Sequence, residues 1–155
     1  MKLYALFALA LISLTGISCL KGGDGCSNKT PASEAGTIQN YCTAQGITAT
    51  QHSSGLFYQI INPGSGATPT ASSTVYVRYT GKFLDGTIFD SRTGTPLALG
   101  LSNLIQGWQI GLPLLQKGGS MKMVVPSALA YGCQGAGTIP ANTIVYFEID
   151  LVDVQ

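Results

Sequence analysis

The sequence predicts an α+β fold, a twisted antiparallel β-sheet wrapped around one short α-helix, with a short N-terminal helical appendage. Three observations predict it. From residue 55 onward apolar residues recur with a period of two, the pattern of half-buried strands. Between those strands lies a single helix candidate, NLIQGWQIGLP at residues 103–113, weakened by Gly107, Gly111 and Pro113 yet carrying the only tryptophan, Trp108. Charged residues make up only 10% of the chain, well below the roughly 25% of ordinary soluble domains. Gly, Ser and Thr, the residues of turns and strands, take their place.

In chain order, the first segment reads as an address. One Lys precedes an apolar stretch from Leu3 to Leu14, interrupted only by Ser13, and small residues then lead to Cys19. This is a secretory signal over residues 1–18, too short for a comfortable membrane span. It resembles a bacterial lipoprotein signal, in which the Cys after the cleavage point receives lipid, so Cys19 is the candidate lipidation site. Gly16 departs from that pattern, which has an aliphatic residue there. Plain secretion and an uncleaved anchor are the alternatives. Lipidation and secretion both put the mature chain outside the cytoplasm, where disulfides persist.

Residues 19–54 form a tether and a short helix. LKGGDGCSNK is Gly-rich and polar, suited to a flexible lead off a membrane. Thr30 is a ready N-cap, Pro31 fits the first helical position, and Ala35, Ile38 and Cys42 recur at helical spacing until Gly46. The domain proper then occupies residues 55–155. LFYQIINPG is a strand closed by a Pro-Gly turn, and TVYVRYT sets Val75, Val77 and Tyr79 on one face against Tyr76 and Arg78 on the other. Asp85-Gly86 marks a tight turn, MKMVVP another strand, and IVYFEIDLVDV the clearest of all. In the last, Val145, Phe147, Ile149 and Leu151 face the core while Glu148, Asp150 and Asp153 mark the wet side.

The net charge is +1, and loss of the signal segment removes Lys2, so nothing steers the chain toward nucleic acid by charge. Without Cys19, three cysteines remain. The pairing Cys26–Cys42 closes the shortest loop, with three separate thiols as the alternative, and Cys133 reads as a disulfide partner, a redox-sensitive thiol or a small apolar filler. No Cys/His cluster predicts a metal, and no cofactor motif is present. His52 is the only histidine, alone in a polar stretch and expected to be solvated, and no G-x-S-x-G occurs, which argues against a Ser-His-Asp hydrolase. The carboxylates are scattered rather than paired, which argues against a glycosidase.

One reaction class needs neither nucleophile nor metal. Rotation about an X–Pro bond is opposed by about 20 kcal/mol, mostly lost amide resonance, and takes tens of seconds unaided. The twisted amide has less charge separation than the planar one, so an apolar, water-free pocket favours it by differential binding. Such a pocket needs aromatic walls, a floor and one or two hydrogen-bonding groups.

VRYTGKFLDGTIFDS, LIQGWQIG, VPSALAYG and IPANTIVYFEIDL resemble, in that order and spacing, the FKBP-type peptidyl-prolyl cis-trans isomerases, over roughly residues 55–155. The N-terminal segment is similar to that of bacterial lipoprotein members. The resemblance implies that Tyr79 lines the proline pocket, Phe89 forms an aromatic wall, and Asp90 is a buried acid orienting the polar edge. It makes Trp108 the floor under the proline ring and Tyr131 the donor to a substrate carbonyl. Leu104 and Ile105 meet the bound peptide, and Ile139 and Phe147 close the far side. Leu97 stands where many members have a second aromatic, and the loop GCQGAGTI carries no bulky side chain at its tip, so one rim is thinned. The implied partners are proline-containing unfolded or exported polypeptides and, through the lipid, a membrane; macrolide inhibitors are candidate ligands. The alternative is a non-catalytic peptide-binding or chaperone module using the same groove. Without the resemblance, Tyr79, Phe89 and Phe147 would read as core aromatics and Asp90 as a turn-former before Ser91-Arg92.

Overall fold

The computed structural model describes residues 25–155; the expected signal segment 1–18 and Cys19 lie outside the described residues. The elements are α1 (Pro31–Ala44), β1 (Thr50–Gln51), β2 (Phe57–Asn62), β3 (Thr74–Phe83), β4 (Ile88–Gly100), α2 (Gln106–Gly111), β5 (Ser120–Val125) and β6 (Val145–Val154). The strands make one sheet in the order β1-β2-β5-β6-β3-β4, with every neighbouring pair antiparallel. This is the predicted fold, an antiparallel sheet around one short helix. No helix among the described residues is long and apolar enough to cross a membrane.

α2 is short for the reason its glycines suggest. A Cβ on Gly107 would lie 2.5 Å from a Val125 methyl, and one on Gly111 would run into the Met123 sulfur. Spaced four apart, the two glycines share a helix face and let the backbone settle onto β5. Helix propensity is given up there for close approach. Trp108, Leu112 and Leu115 then pack with Val75, Val77, Ile149 and Leu151 as the main core.

The opposite sheet face is covered by α1. Thr30 Oγ1 accepts the Ser33 N–H at 3.2 Å, Pro31 opens the helix, and Gly46 ends the run at φ 64°. Ile38 and Cys42, both 0% exposed, pack on Phe57, Val124 and Tyr146. Glu34, in the first turn, is buried, and Ser127 donates to its carboxylate through both N–H (2.8 Å) and Oγ–H (2.9 Å). The N-terminal helix thus packs as a layer on the sheet face away from α2.

That geometry corrects the expected Cys26–Cys42 bridge: the disulfide joins Cys26 to Cys133, with Cα atoms 5.4 Å apart. The helical spacing that puts Cys42 beside Ile38 also sends it to the far end of α1, a rod roughly 20 Å long. A disulfide needs Cα atoms within about 7 Å. Cys42 is a buried free thiol filling the α1 face. His52 departs from expectation too, being half-buried with Nδ1 accepting the Ser54 N–H at 3.1 Å inside a turn.

Two strands carry irregularities that the simple alternation misses. β4 runs on through Phe89-Asp90-Ser91 to Gly100, so Asp90 is a strand residue opposite Gly81 and not a turn-former. Opposite β3, Val77 pairs with Leu97 and Tyr79 with Arg92, so residues 93–96 bulge out around Arg78, whose Nε donates to Gly94 O at 2.8 Å. In β6 the register slips between the pairs Tyr76–Asp153 and Val77–Leu151. One extra residue lets Asp153 turn outward, where Lys117 meets it at 2.7 Å, while Val154 returns to the core side.

Candidate functional site

The pocket lies where β3, β4 and β6 curl over the start of α2. It is a cavity of about 290 Å³ lined by Tyr79, Asp90, Leu97, Leu99, Asn103, Leu104, Ile105, Trp108, Tyr131 and Phe147. Eight of these are residues singled out from the sequence. Phe89 and Ile139 stand outside the lining: Phe89 packs behind Phe147, and Ile139 is buried in the main core at 8% exposure. Leu99 and Asn103 were not anticipated. Leu99 could have been found by carrying the period of two onward from Leu97, whereas Asn103 sits in a tight helical turn with no pattern to mark it.

Four rings form a box of nearly perpendicular contacts. Trp108 stands edge-on to Tyr79 (centroids 5.1 Å apart, 85°) and to Phe147 (5.3 Å, 86°), and Phe147 in turn to Phe89 (5.6 Å, 87°). Edge-to-face packing places the positive ring edge on a negative face, so each contact stiffens the next. Gly81 makes room for this. A Cβ there would lie 2.7 Å from the Phe89 ring and 2.8 Å from the Phe147 ring, so the glycine of Y-T-G is a packing requirement. Trp108 is 4% exposed, and its Nε1 has no hydrogen-bond partner among the described residues.

The polar edge is built around Asp90. Its Oδ2 accepts the Tyr79 hydroxyl at 2.5 Å and its Oδ1 the Ser91 N–H at 2.8 Å. Asp90 is exposed, which corrects the buried acid implied by resemblance: it lies on β4, the outermost strand, at the pocket mouth. Burial, reinforced by the bond to the Asp90 carboxylate, pushes the Tyr79 phenol up to about 12. Burial and then the Asp90 charge raise Tyr131 as well. Both phenols are thus held in the protonated form at neutral pH, and Tyr131 places a hydroxyl among the pocket's lining.

The Leu104–Ile105 corner is fixed by α2. Ile105 O accepts the N–H groups of Trp108 (3.0 Å) and Gln109 (3.2 Å), while the Gln109 side chain donates to Leu104 O at 2.6 Å. Among the described residues no group of three or more His, Cys, Asp or Glu could hold a metal ion.

A sheet curled over a short helix, with an aromatic box and one carboxylate–phenol pair between them, encloses a small, mainly apolar pocket with one polar edge. Comparison with known proteins gives the family. Residues 66–152 match the FKBP-type peptidyl-prolyl cis-trans isomerase family, and the chain belongs to it. It is 42% identical over 113 residues to FkpA of Aeromonas hydrophila, covering 72% of this chain and 41% of that protein. It is 43% identical over 105 residues to FkpA of Escherichia coli strain K12, covering 66% and 39%. The chain spans about two fifths of the length of these relatives. The crystal structure of Escherichia coli FkpA superposes with a TM-score of 0.72 at 37% identity, covering 81% of this chain and 59% of that one. A peptidyl-prolyl cis-trans isomerase from Pseudomonas syringae gives a TM-score of 0.68 at 30% identity, covering 83% and 98%.

Proposed function

We propose that the chain is a peptidyl-prolyl cis-trans isomerase that accelerates rotation about X–Pro bonds in unfolded or exported polypeptides. The observation that carries the reading is the aromatic box closed on one side by the Tyr79–Asp90 pair. A proline ring enters over the Trp108 face, with Phe147 and, behind it, Phe89 as walls and Ile139 as backing. Leu97, Leu104 and Ile105 form the rim that meets the flanking peptide. Tyr131 donates to a substrate carbonyl, and the Asp90 carboxylate fixes the Tyr79 ring. Water is excluded from the amide, so its charge-separated planar form loses solvation and the twisted form does not. No bond is made or broken.

The remaining assignments belong to the same reading. Residues 1–18 are a signal peptide, Cys19 takes a lipid, residues 19–54 are tether and helix, and residues 55–155 are the isomerase domain. The domain then works outside the cytoplasm, held to a membrane by its lipid. The Cys26–Cys133 disulfide supports that compartment, because such a bond persists where thiols are not kept reduced. Macrolide inhibitors enter the same pocket but bind weakly, since Leu97 and the glycine-rich loop offer less rim. Isomerisation of a short X-Pro peptide, coupled to a conformer-selective protease, tests the proposal. A rate no faster than the uncatalysed one, from folded protein, would leave a peptide-binding module without turnover.

A further inference from the structure

We infer that the segment 26–29 is a strap that positions Tyr131, with Asn28 and Asn142 as positioning residues and the Cys26–Cys133 disulfide as its anchor. The inference rests on the isomerase reading of the pocket. Tyr131 sits in the stretch between Leu129 and Pro140, which has no regular secondary structure, and Gly132, Gly135 and Gly137 all have positive φ. Glycine-rich loops lose much conformational freedom when ordered, so something must hold this one. The strap does so from outside the catalytic fold. Cys26 is bonded to Cys133, and Asn28 Oδ1 accepts the Cys133 N–H at 2.7 Å. Asn28 also lies on Gly132, where a Cβ would come within 2.7 Å of the same Oδ1.

Asn142 closes the clasp. It is the only described non-glycine residue with positive φ (52°), a conformation asparagine tolerates better than most. Its N–H donates to Gly132 O at 2.8 Å, its Nδ2 to Ser27 O at 3.1 Å, and its Oδ1 accepts the Lys29 N–H at 3.2 Å. On the other side of Tyr131, the Gly132 N–H donates to Ser127 O at 2.8 Å, and Ser127 is itself bound by Glu34 of α1. Tyr131 is therefore flanked by residues tied to the N-terminal region, although its own side chain touches none of them by hydrogen bond. A hydroxyl that must meet a carbonyl within a few tenths of an ångström needs such support.

The test compares Asn28→Ala with Asn28→Asp, which keeps the Oδ1 acceptor, alone and in a Tyr131→Phe background. Asn28→Ala is expected to lower kcat/KM on an X-Pro peptide by roughly three- to tenfold, and Asn28→Asp to restore most of it. In the Tyr131→Phe background Asn28→Ala should cost nothing further, because the two changes remove one function. Equal losses in both backgrounds, or no loss in either, would overturn the strap. Amide exchange is the readout independent of turnover: Cys133 and Gly135 should exchange faster in Asn28→Ala while β5 and β6 stay protected, and unchanged exchange there overturns the strap as well. Wild-type protein without turnover would instead sink the isomerase reading, leaving the exchange data to judge the hold on the loop.

Discussion

The two faces of the sheet each carry a tyrosine bonded to a carboxylate, and the two pairs are finished differently. On the α1 side, Tyr146 donates to Glu148 at 2.9 Å, Lys82 meets the same carboxylate at 3.2 Å, and the Lys82 ammonium lies 5.8 Å from the Tyr146 ring centroid. On the α2 side, Tyr79 donates to Asp90 at 2.5 Å, and the only other partner is the Ser91 N–H; no described lysine or arginine forms an ion pair with Asp90. The first pair has a lysine counter-ion, and its tyrosine is buried beneath α1. The second has no ion-pair partner among the described residues and lies at the mouth of an open pocket, which it lines together with an indole whose N–H has no partner. On the α1 side the polar groups answer one another, whereas at the pocket the carboxylate and the indole N–H are held from one side and open on the other.

The sharpest way to break this comparison is at the disulfide, which lies on the structural side by its energy and on the functional side by its position. It closes a loop of 107 residues, for which chain entropy alone predicts about 4–5 kcal/mol of stabilisation. The Cys26→Ser, Cys133→Ser double variant should lose stability of that order in denaturant titration. A loss under about 1 kcal/mol would mean that the N-terminal segment stays docked without the bond. Next in size is Ile38→Ala, which empties part of the α1 face. It should cost about 2–5 kcal/mol in the same titration, yet leave turnover per folded molecule unchanged. A fall in turnover with the protein still folded would show that the two faces are coupled.

Smaller and more discriminating is the exchange of each tyrosine for phenylalanine. Tyr146→Phe removes a hydroxyl from a satisfied network and should cost about 1–2 kcal/mol of stability with no change in kcat/KM. Tyr79→Phe frees Asp90 and loosens a pocket wall. It should lower kcat/KM by about tenfold while changing stability by no more than about 1 kcal/mol. Reversal of the two outcomes would assign the chemistry to the wrong face.

How much of this was legible in the sequence depends on the range of the interaction. Strand alternation, the Thr30-Pro31 helix start and the Asp85-Gly86 turn are set by neighbours along the chain, and they stand where the pattern puts them. Tyr79 and Phe147 point inward as strand alternation requires, but alternation alone reads them as core, and their place at the pocket, like that of Trp108, was implied by the resemblance. Cys26–Cys133 could not be anticipated, since loop length favours a close pair and only the rigidity of α1 forbids it. The β4 bulge had no local signal either. It depends on Arg78 of the neighbouring strand reaching Gly94, and through it Leu97 and Leu99 are brought to the pocket and Asp90 to its exposed edge. Glu34 in the first turn of α1 is a buried tie to Ser127, a contact across 93 residues that no local pattern marks.

The smallest effect is in the pH dependence of the pocket. Tyr79 has its folded value raised from 10.0 to about 12, first by burial and then by Asp90. A group raised on folding favours the folded state fully below its unfolded value. That contribution is then lost as pH climbs through the folded one. Tyr79 therefore supports the fold in full up to about pH 10 and loses that support between about 10 and 12. Tyr131 is raised in the same sense, first by burial and then by the Asp90 charge, so both pocket phenols ionise above the ordinary tyrosine value. Turnover should accordingly stay level from about pH 7 to about pH 10, measured by an uncoupled assay on a peptide without ionisable side chains. A decline centred near pH 9 would show that a pocket phenol ionises early, and the bond between Tyr79 and Asp90 would then not be the one that holds the wall in solution.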